Sequence, residues 1–303
     1  MSASAVFEQQ ALIRESRFRR IRQSSLLIDG IWKMLHTFNG VLAVGLLALI
    51  LLAAFVLPLV IHLDPLEQFR GQRLQGPSWD HWFGTDEASR DLFARCIEGL
   101  RLSLLVGCGA VVIGSVVGST VGYIAGYARG LVDSVLMRII DAMLAFPTLL
   151  MALVILVVLG NGVEKVALAI GLANIPIFAR LARAGLLQQS QRDYVLAARA
   201  LGCSPFRIVC RHIVVNTLPP LIVQAALSMA FAVLVEAGLS YLGLGIQPPN
   251  PSLGNLMSVG RNYMLSGGTY YVLLPALVLA SMMFALNLLA DSLNDTFDPK
   301  RRR

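Results

Sequence analysis

The chain has 303 residues, of which 56% are hydrophobic and only 14% are charged, and its formal net charge is +7. Soluble domains carry about 25% charged residues, so this composition indicates an integral membrane protein. The positive charge does not indicate nucleic-acid binding, because no basic face interleaved with aromatic residues appears on a soluble domain. The 4 cysteines and 4 histidines are scattered, which argues against a disulfide framework and against a metal site.

Apolar runs of about 20 residues, the length that a helix needs to cross a bilayer, recur along the chain. The first run lies far from the N-terminus and has no small-residue cleavage site, which predicts a retained membrane helix rather than a signal peptide. We predict an all-α polytopic membrane protein with about six transmembrane helices. The predicted spans are 40–62, 103–127, 135–159, 164–179, 217–244 and 270–290.

Lys and Arg concentrate before the first span, between the fourth and fifth spans, and after the last span. Because basic loops stay on the cytoplasmic side, both termini are predicted to be cytoplasmic. The N-terminal segment is either an amphipathic interfacial helix or a solvated tail. The predicted regions are a cytoplasmic N-terminal segment 1–39, a first transmembrane helix 40–62, an extracytoplasmic loop 63–102, a core transport domain 103–291 with a cytoplasmic loop 180–216, and a cytoplasmic basic tail 292–303.

The sequence lacks the motifs of ATP hydrolysis. Lys33, Lys165 and Lys300 follow Trp, Glu and Pro, so none is the lysine of a phosphate-binding Gly-x-x-x-x-Gly-Lys-Ser/Thr loop. No His-Glu-x-x-His or Gly-x-Ser-x-Gly arrangement is present either. We therefore expect no enzymatic activity and no bound cofactor in this chain alone.

Glycines recur at four-residue intervals in the second predicted span, within "GSVVGSTVGYIAG". On a helix they form one groove that lets a second helix approach closely, so they are predicted to serve helix packing. These residues are Gly114, Gly118, Gly122 and Gly126. Pro147 and Pro176 are expected to mark kinks or helix starts, because proline removes a backbone donor.

Few ionisable residues lie inside the apolar runs. Asp141 falls in the third predicted span and Glu236 in the fifth. Because burying charge in lipid is costly, such residues are candidates for a translocation path. Two interpretations of Glu236 remain open at this point, a group facing the path and a hydrogen-bonded packing residue. Ser228 and Asn287 complete the candidate set.

The stretch between the fourth and fifth spans is polar, basic and helix-favouring. Within "QSQRDYVLAARALG", spacing of three and four residues predicts a short helix. Its expected common face holds Tyr194, Val195, Ala198 and Leu201. Gly202 is expected to end this helix in the left-handed conformation, and Ser204 is a candidate N-cap before Pro205.

This predicted helix has the properties of a docking element. Ala197 and Ala198 are small enough to let it sit deep in a partner's groove, and the charged contacts around it are Arg199, Arg207 and Arg211. A loop that serves only to orient the chain in the membrane is the alternative interpretation.

The sequence of this loop resembles a motif of a known protein family. The pattern Ala-Ala, three residues, Gly, then a second helix is similar to the EAA motif of the membrane subunits of ATP-binding-cassette (ABC) importers. Further similarity to the dipeptide, oligopeptide and nickel permeases, and most of all to the dipeptide permease C type, runs from about 60 to 300. The fragments that carry it are "HWFGTDEASRDLFARCIEGLRLSLLVG", "DSVLMRIIDAMLAFPTLL", "YVLAARALG" with "RHIVVNTLPPLIV", "EAGLSYLGLGIQPPNPSLGNLM" and "NLLADSLNDTFDP". The chain departs from the family pattern at Ser89, Leu196 and Val215.

The resemblance implies a type I importer fold in a bacterial inner membrane and an ATP-driven, binding-protein-dependent importer. It implies a heterodimer with a homologous permease, two cytoplasmic ATPase subunits that use ATP and Mg, and an extracytoplasmic solute-binding protein. The residues it assigns to ATPase coupling are Tyr194, Ala197, Ala198, Arg199, Gly202, Ser204, Arg207 and Arg211. Dipeptides, oligopeptides and nickel chelates all remain open as solutes. A self-contained secondary transporter or channel is the alternative function.

Overall fold

The computed structural model describes residues 34–297, which are mostly helical and contain isolated β-bridges but no β-strand. Most of the predicted N-terminal segment and the end of the predicted basic tail lie outside these residues. The helices are α1 Phe38–Val60, α2 Leu92–Ala128, α3 Gly130–Leu144, α4 Thr148–Leu159, α5 Val163–Gln189, α6 Asp193–Ala200, α7 Pro205–Tyr241, α8 Leu253–Gly260 and α9 Tyr270–Phe297.

Five of these helices, α1, α2, α5, α7 and α9, are long and apolar enough to cross a membrane. The pair α3 and α4 forms a sixth candidate span that is bent by 95°. The prediction of an all-α polytopic protein with about six spans is therefore confirmed.

The third predicted span is not one continuous helix, and the helix start expected at Pro147 is confirmed. The break falls at residues 145–147, where Pro147 has extended backbone angles and precedes the first residue of α4. Proline lacks an amide hydrogen and disfavours helical geometry in the residue before it, so the helix stops and restarts here.

Two helices extend beyond the predicted spans, because the apolar runs are shorter than the helices that contain them. α2 begins at Leu92, inside the predicted loop 63–102, where the side chain of Asp91 accepts a hydrogen bond from the Ala94 amide at 2.9 Å. The predicted fourth span, 164–179, is part of the 27-residue helix α5, which continues through Pro176 and buries it. The predicted loop 180–216 therefore contains the last turns of α5 and the first turns of α7.

Helices α2 and α5 pack closely along the glycines of α2. A Cβ added at Gly118 would lie 2.5 Å from the Ile175 carbonyl oxygen, and one added at Gly122 would lie 2.2 Å from the Ala179 carbonyl oxygen. Any larger side chain at these positions would push backbone against backbone. The two helices thus form a tight central pair against which α7 packs through Leu221.

At one end of the bundle, the segments 61–91 and 242–269 cover the helix termini; we call them the cap. Tyr270 donates a hydrogen bond to the Thr85 carbonyl oxygen at 3.2 Å, and Tyr271 donates one to Glu87. Gly99 of α2 lies against the backbone at Leu253 of the cap. These contacts hold the cap to the first turns of α2 and α9. Helix α6 lies at the opposite end.

Candidate coupling and translocation sites

Helix α6 is a short helix between two long ones, with a glycine turn at its end. The Gly202 amide donates to the Arg199 carbonyl at 2.9 Å, and the Cys203 amide donates to the Ala198 carbonyl at 3.1 Å. Gly202 has φ +74°, the left-handed geometry that this pair of bonds requires. Ser204 occupies the N-cap position before Pro205 but makes no side-chain cap hydrogen bond.

One side of α6 packs against its own chain. Val195 and Ala198 are buried together with Leu186 of α5 and with Ile208 and Ile213 of α7. Ala198 therefore faces its own bundle rather than a partner's groove, because residues three apart share one face of the helix. This small apolar cluster seats α6 on α5 and α7.

The expected common face is wrong for Leu201. This residue follows the last residue of α6, where the Gly202 turn reverses the chain, and its side chain is 84% exposed. Phe206, in the first turn of α7, is 78% exposed, and Leu196 on α6 is 53% exposed. Large apolar side chains with this exposure at the end of a loop are typical of contact sites.

The exposed side of α6 therefore combines apolar and basic groups. We call it the α6 surface, and it consists of Leu196, Ala197, Arg199, Leu201, Phe206, Arg207 and Arg211, all of which are exposed. Sequence reasoning included the small and charged members and missed Leu196, Leu201 and Phe206 as contact residues. The available signal was two large apolar residues on either side of a turn in a polar segment.

Tyr194 ties α6 to both neighbouring helices. Its hydroxyl donates to Gln189 Oε1 at 2.8 Å, at the end of α5, and accepts a 3.4 Å bond from Asn216 Nδ2 of α7. Burial raises the pKa of Tyr194, so its hydroxyl stays protonated and available to donate. Movement of α6 is therefore coupled to α5 and α7 by hydrogen bonds as well as by apolar packing.

Glu236 of α7 lies at the centre of a buried polar network near the cap. Its Oε2 accepts from the Ser103 hydroxyl of α2 at 2.6 Å. Its Oε1 accepts from Ser240 at 2.8 Å and from Ser252, just before α8, at 2.9 Å. The Ser240 oxygen in turn accepts from the Ile246 amide at 3.1 Å. This network joins α2, α7 and the cap, and it supports the packing interpretation of Glu236.

The other candidates for a translocation path are not brought together with Glu236. Asp141 of α3 accepts a 2.6 Å bond from Arg180 of α5, and both side chains are exposed. Ser228 is buried and accepts from Gln224 at 3.2 Å. Asn287 of α9 is exposed and donates to the carbonyl of Met283 at 3.0 Å. Within residues 34–297 these side chains form separate local contacts rather than one site.

The sequence of this chain matches a known family and several known proteins. Residues 118–303 match the family model described as "Binding-protein-dependent transport system inner membrane component". The chain is 39% identical over 267 residues to the dipeptide transport system permease protein DppC of Alkalihalophilus pseudofirmus, covering 87% of each chain. It is 39% identical over 277 residues to the di/tripeptide transport system permease protein DppC of Pseudomonas aeruginosa, covering 89% of this chain and 91% of that protein.

A solved structure shares the fold. An inward-facing MetNI methionine ABC transporter chain superposes with a TM-score of 0.53 at 18% identity, over 67% of this chain and 97% of that chain. This likeness shows the fold of a type I importer permease and carries no information on the solute. The family match, the similar permeases and the multi-pass bundle agree with this fold. The chain belongs to the family of binding-protein-dependent transport system inner membrane components, the membrane permease subunits of ABC importers.

Proposed function

We propose that this chain and a second, homologous permease form the translocation path of an importer for di- or oligopeptides. The relatives named as dipeptide and di/tripeptide permeases match it over most of its length, which supports peptides as the solute class. In this proposal two cytoplasmic ATPase subunits use ATP and Mg, a solute-binding protein delivers the peptide, and this chain binds no cofactor.

The observation that carries the proposal is the two-sided packing of α6. One side is seated on α5 and α7 through Val195 and Ala198, and the other presents the exposed α6 surface. A helix seated on two long helices can transmit displacement to both of them. When ATP binding draws the ATPases together, α6 moves with them, and the bundle shifts between its inward and outward arrangements.

Each predicted coupling residue has a distinct part in this proposal. Ala197, Arg199, Arg207 and Arg211 contact the ATPase, because they are exposed on the α6 surface. Tyr194 and Ala198 attach α6 to its own chain. Gly202 and Ser204 form the turn that presents Leu201 and Phe206.

The exposed and the buried candidates for the translocation path have different roles in this proposal. Asp141 and Asn287 are exposed on this chain and are proposed to face the path or the partner permease. Glu236 and Ser228 are buried and are proposed to hold the helices that border the path.

Replacement of the exposed apolar residues tests the coupling role. In vesicles containing the complete transporter, Leu201→Ser combined with Phe206→Ser should lower ATP-driven peptide uptake by about 30-fold or more, since a buried interface anchor contributes about 2 kcal/mol or more. Leu201→Met is the matched control and should retain uptake because it keeps an apolar side chain. Uptake by the double variant at the unaltered rate would contradict the proposed docking surface.

The rival function requires a separate measurement. The purified chain alone, in vesicles with an imposed proton or sodium gradient, is expected to transport no labelled dipeptide. Addition of the second permease, the ATPases, the binding protein and ATP should then start uptake. Gradient-driven uptake by the chain alone would instead establish a secondary transporter.

A further inference from the structure

A cavity of about 510 Å³ lies beside α6 and shares Arg199 with the α6 surface. It opens between the last turn of α2, the end of α5, and the turn that joins α6 to α7. The polar residues that line it are Tyr127, Arg129, Ser190, Arg199 and Cys203. Its volume falls within the range of small-ligand sites, about 300–1,000 Å³.

The lining of this cavity carries positive charge without a balancing acid. Arg129 and Arg199 both line it, and no Asp or Glu does. Within residues 34–297 neither arginine takes part in an ion pair. Asp133 of α3 is occupied elsewhere, because it forms a bidentate pair with Arg183. Two guanidinium groups that share a concave site favour an anion with several acceptor oxygens, which a phosphate supplies.

The backbone at Arg129 is held in an unusual conformation. Arg129 has φ +54° at the junction between α2 and α3, and Gly130 follows it with φ +55°. Residues other than glycine rarely adopt this region, and strain of this kind is retained mostly at functional sites. The turn between α2 and α3 therefore fixes the main-chain position of Arg129 beside the cavity.

The position of the cavity relative to the lipid indicates the source of the anion. Immediately after Arg129, α3 presents an exposed apolar face that includes Leu131, Val132 and Val135. Exposed apolar faces of multi-pass membrane proteins are suited to contact with acyl chains, and Arg129 lies at the end of this face. Tyr127, 54% exposed, lies at the same level, as aromatic residues do at the headgroup boundary.

We propose that this cavity binds a phosphate group, and that the phosphate belongs to the headgroup of an anionic phospholipid. Basic pockets at the membrane surface attract anionic headgroups. The headgroup would neutralise Arg129 and Arg199 and bridge the end of α2 to the seat of α6. Lipid composition would then affect how firmly α6 is held, whichever solute is transported.

Lipid retention by arginine variants tests the proposal. The complete transporter carrying Arg129→Ala, Arg199→Ala or both is purified in detergent, and bound phosphatidylglycerol and phosphatidylcholine are counted by native mass spectrometry. Each substitution should lower specifically retained phosphatidylglycerol about fivefold, the equivalent of about 1 kcal/mol per arginine near a membrane surface. Arg192→Ala is the matched control, because Arg192 is exposed at the start of α6 and does not line the cavity. Equal retention by all variants would overturn the proposal.

A second readout uses the unaltered chain and does not depend on the folding of variants. Cys203 lines the cavity and is partly exposed, whereas Cys210 is exposed and does not line it. In nanodiscs, phosphatidylglycerol should slow alkylation of Cys203 relative to Cys210, and phosphatidylcholine should not.

Two further measurements show which molecule protects Cys203 from alkylation. Protection of Cys203 by millimolar inorganic phosphate, without protection by phosphatidylglycerol, would overturn the lipid assignment in favour of a soluble phosphate compound. Protection by the ATPase subunits in phosphatidylcholine nanodiscs, without any effect of phosphatidylglycerol, would overturn the proposal and assign the cavity to the ATPase.

Discussion

The two ends of the bundle are held by different forces. At the cap end, charged and polar side chains are buried and bonded to one another, with Asp86 and Glu236 both 0% exposed. At the α6 end, a small apolar cluster around Val195 and Ile213 seats a helix whose other side is exposed. The first end buries charged and polar groups against one another, whereas the second leaves apolar and basic groups in contact with solvent.

This difference separates stability from partner contact. Buried acids that accept several hydrogen bonds fix the positions of the elements that donate them, because no alternative arrangement satisfies the same groups. Exposed apolar side chains beside a turn contribute little to the isolated chain and gain free energy only when another protein covers them. Substitutions at the cap end should therefore lower stability, and substitutions at the α6 end should mainly affect coupling.

The largest loss of stability is expected at Asp86. Its Oδ1 accepts from the Ala88 and Arg90 amides, and its Oδ2 accepts from Arg90 Nε at 2.7 Å. Arg95 Nε lies 3.3 Å from the same Oδ2 as an ion pair, without the alignment of a hydrogen bond. Asp86→Ala should lower the free energy of unfolding by about 3–5 kcal/mol, because it leaves two arginines without their counter-charge.

Titration of the purified chain with denaturing detergent measures this loss. Asp86→Asn is the control: it keeps an oxygen for the two amides but removes the charge, so its loss should be smaller than that of Asp86→Ala. A loss below about 1 kcal/mol for Asp86→Ala would show that the cap is not held by this acid.

A smaller loss is expected at Glu236. Glu236→Ala removes the acceptor of three serine hydroxyls and leaves a cavity, which should lower the free energy of unfolding by about 2–3 kcal/mol. Glu236→Gln keeps the shape and one acceptor oxygen, so it should lose about 1 kcal/mol. The same detergent titration compares the two variants, and equal losses would argue that packing, rather than hydrogen bonding, is the contribution of this side chain.

The bundle itself was predictable from the sequence because long apolar runs have few stable outcomes in a bilayer. The boundaries were less predictable, since charged residues such as Arg95 lie inside the first turns of α2 once the cap covers them. The bend at Pro147 was signalled by the proline, but its 95° angle depends on how α4 packs against α5. Apolar run length therefore predicts the number of spans better than their shape.

The sites were less predictable than the fold. Ser103, Ser240 and Ser252 meet at Glu236 from separate elements, and serine leaves no periodic pattern that would indicate such a meeting. Along α6, the periodicity correctly placed Val195 and Ala198 on one face. It failed at Leu201 because the helix ends one residue earlier, and periodicity does not continue through a turn. Contacts between distant elements and the side chains next to turns thus required the structure.

The smallest effect on stability is expected at Gly202, and it tests how little holds the α6 end. A Cβ at this position would meet no atom within 4 Å, so the only cost of Gly202→Ala is the left-handed backbone at φ +74°. That cost should lower the free energy of unfolding by about 1 kcal/mol. Gly202→Asn should lose less, because asparagine tolerates this conformation better than alanine, and Gly45→Ala, also with open space around it, should lose nothing.

ATP-driven uptake in the complete transporter should nevertheless fall more for Gly202→Ala than for Gly202→Asn, since the turn presents Leu201 and Phe206. If Gly202→Ala were to lower stability as much as Asp86→Ala, the α6 end would be a structural element like the cap, and the division between the two ends would be wrong.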